Sequence, residues 1–498
     1  MSRLRSFALV CLAAPVIGGC GGGLDDARAS EIVAALVEAD EAVIRSRPAL
    51  VAGKYALMAS DPYSYYRGSL PVYRRDWMRG AEGLSASAFA TRMSVSAPLA
   101  MGDPHPENFG VLLAPDSSPG IEPNDFDSAD RAPYLWDLRR LVAGVSLAAR
   151  LSNAEDPEAR ALATASAKDA ARAAAAAYAE TIVALAGGAA RARMDEGDPG
   201  AMEPVLADLF NRARKNAASR TELLELTVLE GATRRLRRGV LSPDEPTSTF
   251  SDLPPFAVTA LPAALDAYRQ TLLAPPPPAF FTILDAVRQL GSGVASWPRV
   301  RVIVLVRGPT DDPGDDLLLE LKELADARLL PAPGPDVSFD SNQARVEHST
   351  RAAWYSPGAS PLWGTSRWLG FPVQIRLESE AQKSVRVSRL TGARGTPGAI
   401  AQLARSLGRL LARIHAAPLR IDELPAREIA AAVGVDLDAF AEEQAAIGDA
   451  YAARVLADHA LFQDALARLG PTLGVPIEPA DAPSPDLAAL YGAPSSLP

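Results

Sequence analysis

The first half of the chain follows the periodicity of helices. Residues 30–50 and 84–93 predict helices, and "YLWDLRRLVAGVSLAARL", from Tyr134, predicts a buried one. The alanine-rich stretch 157–192 predicts further helix, because alanine has the highest helix propensity. Residues 220–238 predict a helix that ends in "RRLRR", where cations suit the negative end of the helix dipole.

The pattern changes in the second half, where short apolar runs predict β-strands. These runs are "VRVIVLVRG" at 300–308, "DDLLLELKEL" at 315–324 and "FPVQIRLES" at 371–379. Residues 398–417 then predict an amphipathic helix, and residues 425–470 predict more helix. The order of elements therefore favours an α+β fold that is rich in helix.

The N-terminus resembles a secretion signal. Residues 1–19 place Arg3 and Arg5 before "FALVCLAAPVI", an apolar run too short to span a membrane, which predicts a signal peptide. The following "IGGC" resembles the bacterial lipobox, which implies cleavage before Cys20 and lipidation of its thiol. The alternative is a plain signal peptide with a chance cysteine. Residues 20–40, which begin "CGGGLDDARAS", predict a lipidated tether.

These features predict a lipoprotein that is exported and anchored to a bacterial membrane by its lipid alone, facing the periplasm or the cell exterior. No later run approaches the roughly 18 apolar residues of a spanning helix. Cysteine occurs at positions 11 and 20 alone, so the mature chain is expected to hold no disulfide and no cysteine-based metal site.

Composition shifts divide the rest of the chain. The proline-rich stretch 241–280, with "APPPPAF", predicts a stiff linker. It separates region 41–240 from region 281–420. Helices are expected over 421–470, and a disordered tail over 471–498. The net charge of −10 over 498 residues argues against a nucleic-acid partner, although a nucleotide site needs only a few local cations.

Two short segments of the first region carry the candidate chemistry. "MGDPHPENFG" holds Asp103, His105 and Asn108, and the predicted hairpin "FGVLLAPDSSPGIEPNDFD" leads to Asp125. Protein kinases place the catalytic Asp five residues before a metal-binding Asn, with a second metal-binding Asp farther on. The same spacing here predicts phosphoryl transfer with Mg²⁺. We interpret His105 as a hydrogen-bonding strut in the loop.

The second region carries candidate phosphate-binding residues. In "LGSGVASWPRV", Gly291 and Gly293 let the backbone approach a phosphate closely. Lys322 lies in an apolar strand, where a lone ammonium is costly unless it meets an anion. Taken alone, "GSG" is as typical of a surface turn. The order of glycine loop, lysine strand, further strand and helix "LGRLLARIHAA" predicts a two-lobed, protein-kinase-like fold in circularly permuted order.

Several motifs resemble known families. "GDPHPEN" resembles the "GDxHxxN" loop of aminoglycoside-phosphotransferase-like kinases, and Asp137 in "WDLRRL" resembles the buried aspartate that braces that loop. Together with "MASDPYSYYRGSLPVYRRDW", "NDFD", "GSGVASWPR", "ELKEL" and "LLARIHA", these motifs resemble the bacterial domain-of-unknown-function family 2252 over about residues 45–470. This family resembles the protein-kinase-like superfamily.

The resemblance implies a role for each of four residues. Asp103 would be the catalytic base, Asn108 and Asp125 the Mg²⁺ ligands, and Lys322 the phosphate anchor. The implied partners are ATP or another nucleotide and an acceptor that the sequence does not identify. The remaining positions that match the family without an assigned role are Arg67, His105 and Arg376.

The chain departs from the family pattern in the glycine loop. The family's lid reads "GxGSxGxPR", whereas Val294 replaces its serine and Ser296 its last glycine, which weakens the prediction of a tight phosphate cradle. In "RVEHSTR", Glu347 is a candidate partner for Lys322.

The sequence therefore predicts a Mg²⁺-dependent phosphotransferase and leaves a non-enzyme open. That alternative is a weak or inactive kinase-fold binding lipoprotein of the cell envelope, favoured by the altered glycine loop and a compartment poor in ATP. A metallophosphoesterase, suggested by "GDPH", fits poorly, because four histidines are few for a two-metal site.

Overall fold

The computed structural model describes residues 26–91, 97–198, 200, 203–239, 248–325, 339–356, 358–418 and 424–492. The predicted signal peptide and the predicted lipidation site, Cys20, lie outside these residues. The chain is a mixed helix-and-sheet α+β protein, in line with the sequence prediction of the fold class. Its helices and its main antiparallel sheet belong to two adjoining hydrophobic cores.

The elements follow in chain order. The helices are α1 (Ala27–Ser46), α2 (Pro48–Ser60), α3 (Pro62–Gly68), α4 (Leu70–Arg79), α5 (Tyr134–Leu151), α6 (Pro157–Ala165), α7 (Ala167–Ala186), α8 (Pro204–Ser219), α9 (Thr221–Leu226), α10 (Pro255–Thr259), α11 (Leu261–Arg269), α12 (Asn342–Ala353), α13 (Pro397–His415), α14 (Pro425–Val433), α15 (Leu437–Leu469) and α16 (Pro485–Tyr491). The strands are β1 (Leu99–Ala100), β2 (Phe109–Leu113), β3 (Pro119–Pro123), β4 (Asp130–Arg131), β5 (Met194–Asp195), β6 (Thr227–Glu230), β7 (Thr233–Leu236), β8 (Thr249–Asp252), β9 (Ile283–Leu290), β10 (Arg301–Val306), β11 (Leu317–Glu323), β12 (Gly364–Trp368) and β13 (Phe371–Leu377).

The helical body is built around α5. Every residue of this helix from Tyr134 to Ala149 is buried, and α7, α13 and α15 pack around it. Gly408 brings α13 against α7, since a Cβ at this position would lie 2.2 Å from the carbonyl oxygen of Ala174. Close helix packing therefore depends on small residues at the crossings.

The main sheet has six antiparallel strands in the order β12-β13-β11-β10-β9-β8. On one face, α11 contributes Leu265 and Tyr268 to the core, and on the other α9 and the β6-β7 hairpin contribute Leu226 and Leu236. Because both faces are covered, β10 reads as a continuous apolar run rather than an alternating one. The strands predicted at 300–308, 315–324 and 371–379 are confirmed as β10, β11 and β13.

A smaller sheet joins the two cores. The predicted hairpin after Asn108 is confirmed as β2 and β3. Residues 382–389, here called the strap, follow β13 and run beside β2. Val111 N donates to Lys383 O at 2.9 Å, and Val385 N donates to Phe109 O at 3.0 Å. The strap therefore connects the main sheet to the loop that carries the candidate chemistry.

Two local predictions are wrong. Residues 220–238 form α9 and then the β6-β7 hairpin rather than one helix. The hairpin turns at Gly231, whose φ of +66° suits the first position of a two-residue loop. Residues 84–91 form turns and extended chain, and 92–93 lie outside the described residues.

The described part of the predicted linker, 241–280, is folded. It contributes β8, which pairs with β9, and the helices α10 and α11. Pro255 and Pro262 stand in the first turns of these helices. Backbone N–H groups there have no partner within the helix, so proline, which has no N–H, causes no loss. These two prolines therefore stand at helix starts, whereas residues 275–277 lie outside helices and strands.

The predicted disordered tail, 471–498, also contains structure. Within it α16 buries Leu490 and Tyr491 against the main sheet. Arg288 on β9 donates to the carbonyls of Ala489 and Leu490 at 2.6 and 2.9 Å, and so satisfies the end of the helix. The low average hydrophobicity of the tail predicts disorder and does not reveal that Leu490 and Tyr491 anchor it.

No helix in the described part of the chain has the length and apolar character needed to cross a membrane.

We predict that Leu490→Ala destabilises the protein by about 2–5 kcal/mol, since Leu490 is fully buried and its removal leaves a cavity. Urea unfolding followed by tryptophan fluorescence measures the change. The same substitution at Leu273, which is 60% exposed, should change stability by less than about 0.5 kcal/mol. Equal effects at the two leucines would show that α16 does not contribute to the core.

Candidate functional site

A cavity of about 420 Å³ lies between the main sheet and the loops beside the helical body. The sequence-predicted residues that line it are Asp103, His105, Asn108, Asp125, Gly293 and Lys322. The first four come from the region before the predicted linker and the last two from the region after it. The fold thus brings together most of the predicted site residues, while Gly291 and Asp137 lie outside the lining.

Asp137 holds the loop 101–108, here called the polar loop. Its carboxylate accepts from Met101 N at 2.6 Å and Gly102 N at 2.9 Å. Position 102 requires glycine, because its φ is +82° and a Cβ would lie 2.1 Å from Ser128 O. His415 Nε2 lies 3.2 Å from Asp137 Oδ2 and is fully buried. Asp137 and His415 therefore support the loop from the core.

Asp103 is fixed through one of its oxygens. Arg140 Nε donates to Asp103 Oδ1 at 2.7 Å, and the Arg140 guanidinium lies 3.6 Å from the centre of the Tyr66 ring. Burial raises the pKa of Asp103, and Arg140 opposes that rise. The other oxygen, Oδ2, lies 3.9 Å from His105 Nε2, beyond hydrogen-bonding distance. Arg140 thus orients Asp103 through Oδ1, and Asp103 lines the cavity.

His105 is a buried, neutral side chain. Burial lowers its pKa well below the usual value, and the nearby Arg67, Arg140 and Arg386 lower it further. Its Nδ1 has no hydrogen-bond partner among the described residues. The structure therefore gives His105 a packing role against Tyr63, at 6.3 Å between ring centres, rather than a network of hydrogen bonds.

Lys322 meets two carboxylates across the cavity. Its Nζ lies 2.6 Å from Asp127 Oδ2 and 3.5 Å from Asp125 Oδ2. Burial disfavours the charged amine, but the two carboxylates outweigh burial and raise the pKa of Lys322. Burial raises the pKa of Asp125 in turn, yet Lys322, the amide of Asp127 and Arg376 together outweigh it and hold that pKa below the usual range. The pKa of Asp127 is raised by burial and by its neighbour Asp125.

These carboxylates offer oxygen ligands for a hard cation. Asp125 Oδ1 accepts from Asp127 N at 3.1 Å, and Asp127 Oδ1 is buried without a hydrogen-bond partner among the described residues. Asn108 Nδ2 donates to Asp103 O at 2.8 Å, which leaves its amide oxygen as a candidate ligand. The described residues contain no group of three or more His, Cys, Asp or Glu placed to hold a metal. The donors that fit Mg²⁺ are thus two carboxylates and one amide, with Lys322 as their present counter-ion.

A second buried network, which sequence analysis missed, ties the main sheet to residues 124–127, here called the acidic loop. Glu320 Oε1 accepts from Arg301 at 2.5 Å and Oε2 from Arg376 at 2.6 Å, while Arg376 also donates to Asn124 O at 3.4 Å. Burial raises the pKa of Glu320, but the two guanidiniums outweigh it and lower that pKa to about 2. In the sequence, this network could have been indicated by Glu320, an acidic residue two positions before Lys322 on a largely apolar strand.

The glycine loop, residues 291–299, closes one end of the cavity. Gly291 and Gly293 have φ values of +76° and +74°, which favour glycine, and Gly293 lines the cavity. Trp297 fixes the loop to α2, since a Cβ at Gly53 would lie 2.2 Å from its indole nitrogen. Ser296 lies within this loop, and its Oγ accepts from Arg301 Nη2 at 3.2 Å.

The strap lines the cavity beside the polar loop. Glu107 Oε1 accepts from Val387 N at 2.8 Å, and its Oε2 lies 2.9 Å from Arg67 Nη1 and 3.4 Å from Arg386 Nη1. The alternation of Val385 and Val387 with arginine could have indicated this edge segment from the sequence.

Glu347 does not pair with Lys322. It pairs with Arg351 on the same helix, at 3.2 Å, and Lys322 instead meets Asp127 at 2.6 Å. The helix α12 contributes Arg345, whose Nη2 donates to Asp127 O at 2.9 Å. It therefore supports the acidic loop through its arginine rather than its glutamate.

The model of one protein family matches residues 45–465, and this family is described as "Uncharacterized protein conserved in bacteria (DUF2252)". The chain belongs to DUF2252. No curated protein and no solved structure matches the chain. All the residues that line the cavity lie within the DUF2252 match, whereas α16 lies beyond it. The cavity is therefore built from the family region alone.

We predict that Glu320→Gln destabilises the protein by about 3 kcal/mol at pH 7, because it leaves two buried guanidiniums without their carboxylate. Glu320 has a folded-state pKa of about 2, below its unfolded value. Its contribution is therefore present at neutral pH and is lost as the pH falls from about 4.5 toward 2. The stability gap between variant and wild type should shrink by roughly half at pH 3.

Urea unfolding at several pH values measures this gap. The exposed pair Lys168–Glu442 supplies the control, and Glu442→Gln should leave the stability almost unchanged at every pH. A gap for Glu320→Gln that stays constant with pH would contradict the depressed pKa.

Proposed function

We propose that this DUF2252 protein is a Mg²⁺-dependent phosphotransferase that transfers a phosphoryl group from a nucleotide to an acceptor. The observation that carries the proposal is the meeting of two distant sets of residues in one cavity. Asp103, Asn108 and Asp125 line it from one half of the chain, and Gly293 and Lys322 line it from the other. Phosphoryl transfer needs this combination of an oriented carboxylate, oxygen ligands and phosphate-binding groups.

The order of elements supports a kinase-like fold in permuted order. A glycine loop lies between β9 and β10, the lysine lies on β11, and α12 precedes β12 and β13. Protein kinases likewise place a glycine-rich loop over the phosphates and a lysine on the third strand of the nucleotide lobe, followed by a helix. Here this unit follows the polar loop in the chain instead of preceding it.

Each residue has a defined part in the proposed reaction. Asp103, held by Arg140, accepts the proton of the acceptor hydroxyl through Oδ2. The acceptor oxygen forms a bond to the γ-phosphorus while the bond from that phosphorus to the bridging oxygen breaks, and the nucleoside diphosphate leaves. Asn108, Asp125 and Asp127 would hold Mg²⁺, which supplies positive charge against the phosphate oxygens. Lys322 would contact the same phosphates.

One observation favours the alternative of a kinase-shaped binding protein. The 2.6 Å pair between Lys322 and Asp127 neutralises part of the acidic loop without a metal. A protein that never binds Mg²⁺ would keep the same contact for stability. This alternative predicts no nucleotide binding and is separated from the enzyme by the experiments below.

Export and lipid anchoring through Cys20 are part of the proposal and rest on the signal-like residues 1–19 and on the "IGGC" motif. An exported phosphotransferase would meet its nucleotide outside the cytoplasm, so the donor is tested with several nucleotides rather than ATP alone.

We predict that ATP, GTP or ADP raises the thermal unfolding midpoint only together with Mg²⁺, because carboxylates and phosphates repel each other without it. A ligand at about 100 times its dissociation constant adds roughly 2.7 kcal/mol, which differential scanning fluorimetry detects. Asp125→Ala should abolish the Mg²⁺-dependent shift while the protein stays folded. Asp116→Ala, at an exposed acid of the β2-β3 turn, is the matched control and should keep it. No shift with any nucleotide would favour the binding protein.

We predict that Asp103→Asn keeps nucleotide binding and lowers the turnover rate by about 10²–10⁴, because an amide cannot accept the hydroxyl proton. Hydrolysis or transfer from labelled nucleotide measures turnover, and the thermal shift measures binding. Unchanged turnover in Asp103→Asn would remove Asp103 from the reaction.

A further inference from the structure

The cavity has a second group of cations, on the side of the strap. Arg67 from α3 and Arg386 and Arg389 from the strap line it beside the polar loop. Arg67 and Arg386 both depress the pKa of His105, and Arg67 acts on Asp103 as well. Arg67 and Arg386 also both contact Glu107 of the polar loop, so they lie beside the loop that carries Asp103.

The two sides of the cavity bury their cations to different extents. On the sheet side Lys322 and Arg301 have side chains only 5% and 11% exposed, and each contacts a buried carboxylate at 2.5–2.6 Å. On the strap side Arg67, Arg386 and Arg389 are 23%, 32% and 42% exposed. Arg386 and Arg389 approach their nearest carboxylates only at 3.4 and 3.7 Å. Arg386 and Arg389 on the strap side are thus held only loosely by their carboxylates.

Carboxylates on this side are shared between arginines. Glu107 meets both Arg67 and Arg386, and Asp208 meets Arg389, Arg394 and Arg212, which also lines the cavity. Among the described residues that line the cavity, nine are Lys or Arg and seven are Asp or Glu. This excess of cations stands in a chain of net charge −10.

We propose that the strap side is the acceptor subsite and that the acceptor is a small hydroxyl compound with a phosphate or carboxylate group. The proposal rests on the proposed phosphotransferase function, since Asp103 would face the acceptor hydroxyl. Arg386 and Arg389 bind the anionic group, because guanidiniums form paired, charge-assisted hydrogen bonds with such groups. A cavity of about 420 Å³ suits small molecules rather than a folded partner.

This inference separates the protein from the kinases that its polar loop resembles. A polycationic acceptor such as an aminoglycoside would be repelled by the strap arginines. The acceptor class is thus set by charge on the strap side, while the polar loop sets the reaction.

The test measures binding with three hydroxyl compounds of similar size and different charge: glucose 6-phosphate, glucose and glucosamine. Inorganic phosphate serves as a fourth probe and shows whether the anion alone suffices. Thermal shifts of the full chain are recorded at constant ionic strength, without nucleotide. Glucose 6-phosphate and inorganic phosphate should stabilise the protein, and glucose and glucosamine should not.

Variants locate the binding. Arg386→Met with Arg389→Met should weaken the response to glucose 6-phosphate by about tenfold or more, since two charge-assisted contacts are lost. Arg394→Met is the matched control, because Arg394 also contacts Asp208 but does not line the cavity. Lys322→Met should keep the response, which distinguishes the strap side from the nucleotide side. Arg389→Met alone, at a 42% exposed position, serves if the double variant fails to fold.

The outcomes separate the two proposals. A phosphate response that depends on the strap arginines supports the anionic subsite, even where no nucleotide binds and the phosphotransferase proposal fails. A response lost in Lys322→Met but kept in the strap variants overturns the subsite. So does a stronger response to glucosamine than to glucose 6-phosphate, or no response to either phosphate probe.

Discussion

The contact between Lys322 and the carboxylates of Asp125 and Asp127 joins the main sheet to the loops of the helical body. A buried ammonium without a counter-charge costs several kcal/mol, so β11 is stable in its place only where the acidic loop meets it. Arg345 from α12 and Arg376 from β13 donate to backbone carbonyls of the same loop. Three cations from three elements therefore depend on one short acidic segment, and the cavity exists because they converge on it.

Sequence reasoning reached the parts of the site that are set by local spacing. The five-residue interval from Asp103 to Asn108 fits within one loop, and the hairpin after it brings Asp125 back to the same end. The strand of Lys322 was predictable from its apolar start, Leu317–Leu319, and from the alternation that follows, with Leu321 between Glu320 and Lys322. These features need no knowledge of what lies far away in the chain.

The missed features depend on contacts between distant residues. Arg140 reads as one of three arginines in an apolar helix, yet its partner Asp103 lies 37 positions earlier. The strap reads as an ordinary polar stretch until its pairing with β2 is known. The buried positions of the tail and of the proline-rich segment cannot be read from composition, which does not reveal which few side chains are buried. Glu347 was a candidate partner of Lys322 by chain position, but Glu347 pairs with Arg351 and Lys322 meets Asp127.

The separation of 197 residues between Asp125 and Lys322 has a consequence for folding. During synthesis the acidic loop emerges long before the strand that neutralises it, and the sheet is completed only when β13 and the strap are available. Contacts between positions so far apart form slowly, because a long loop must close before they stabilise anything. The helical body is completed no earlier, because α13 and α15, which pack around α5, follow the strap in the chain. A chain released before the strap is made would therefore have neither its full helical core nor its site.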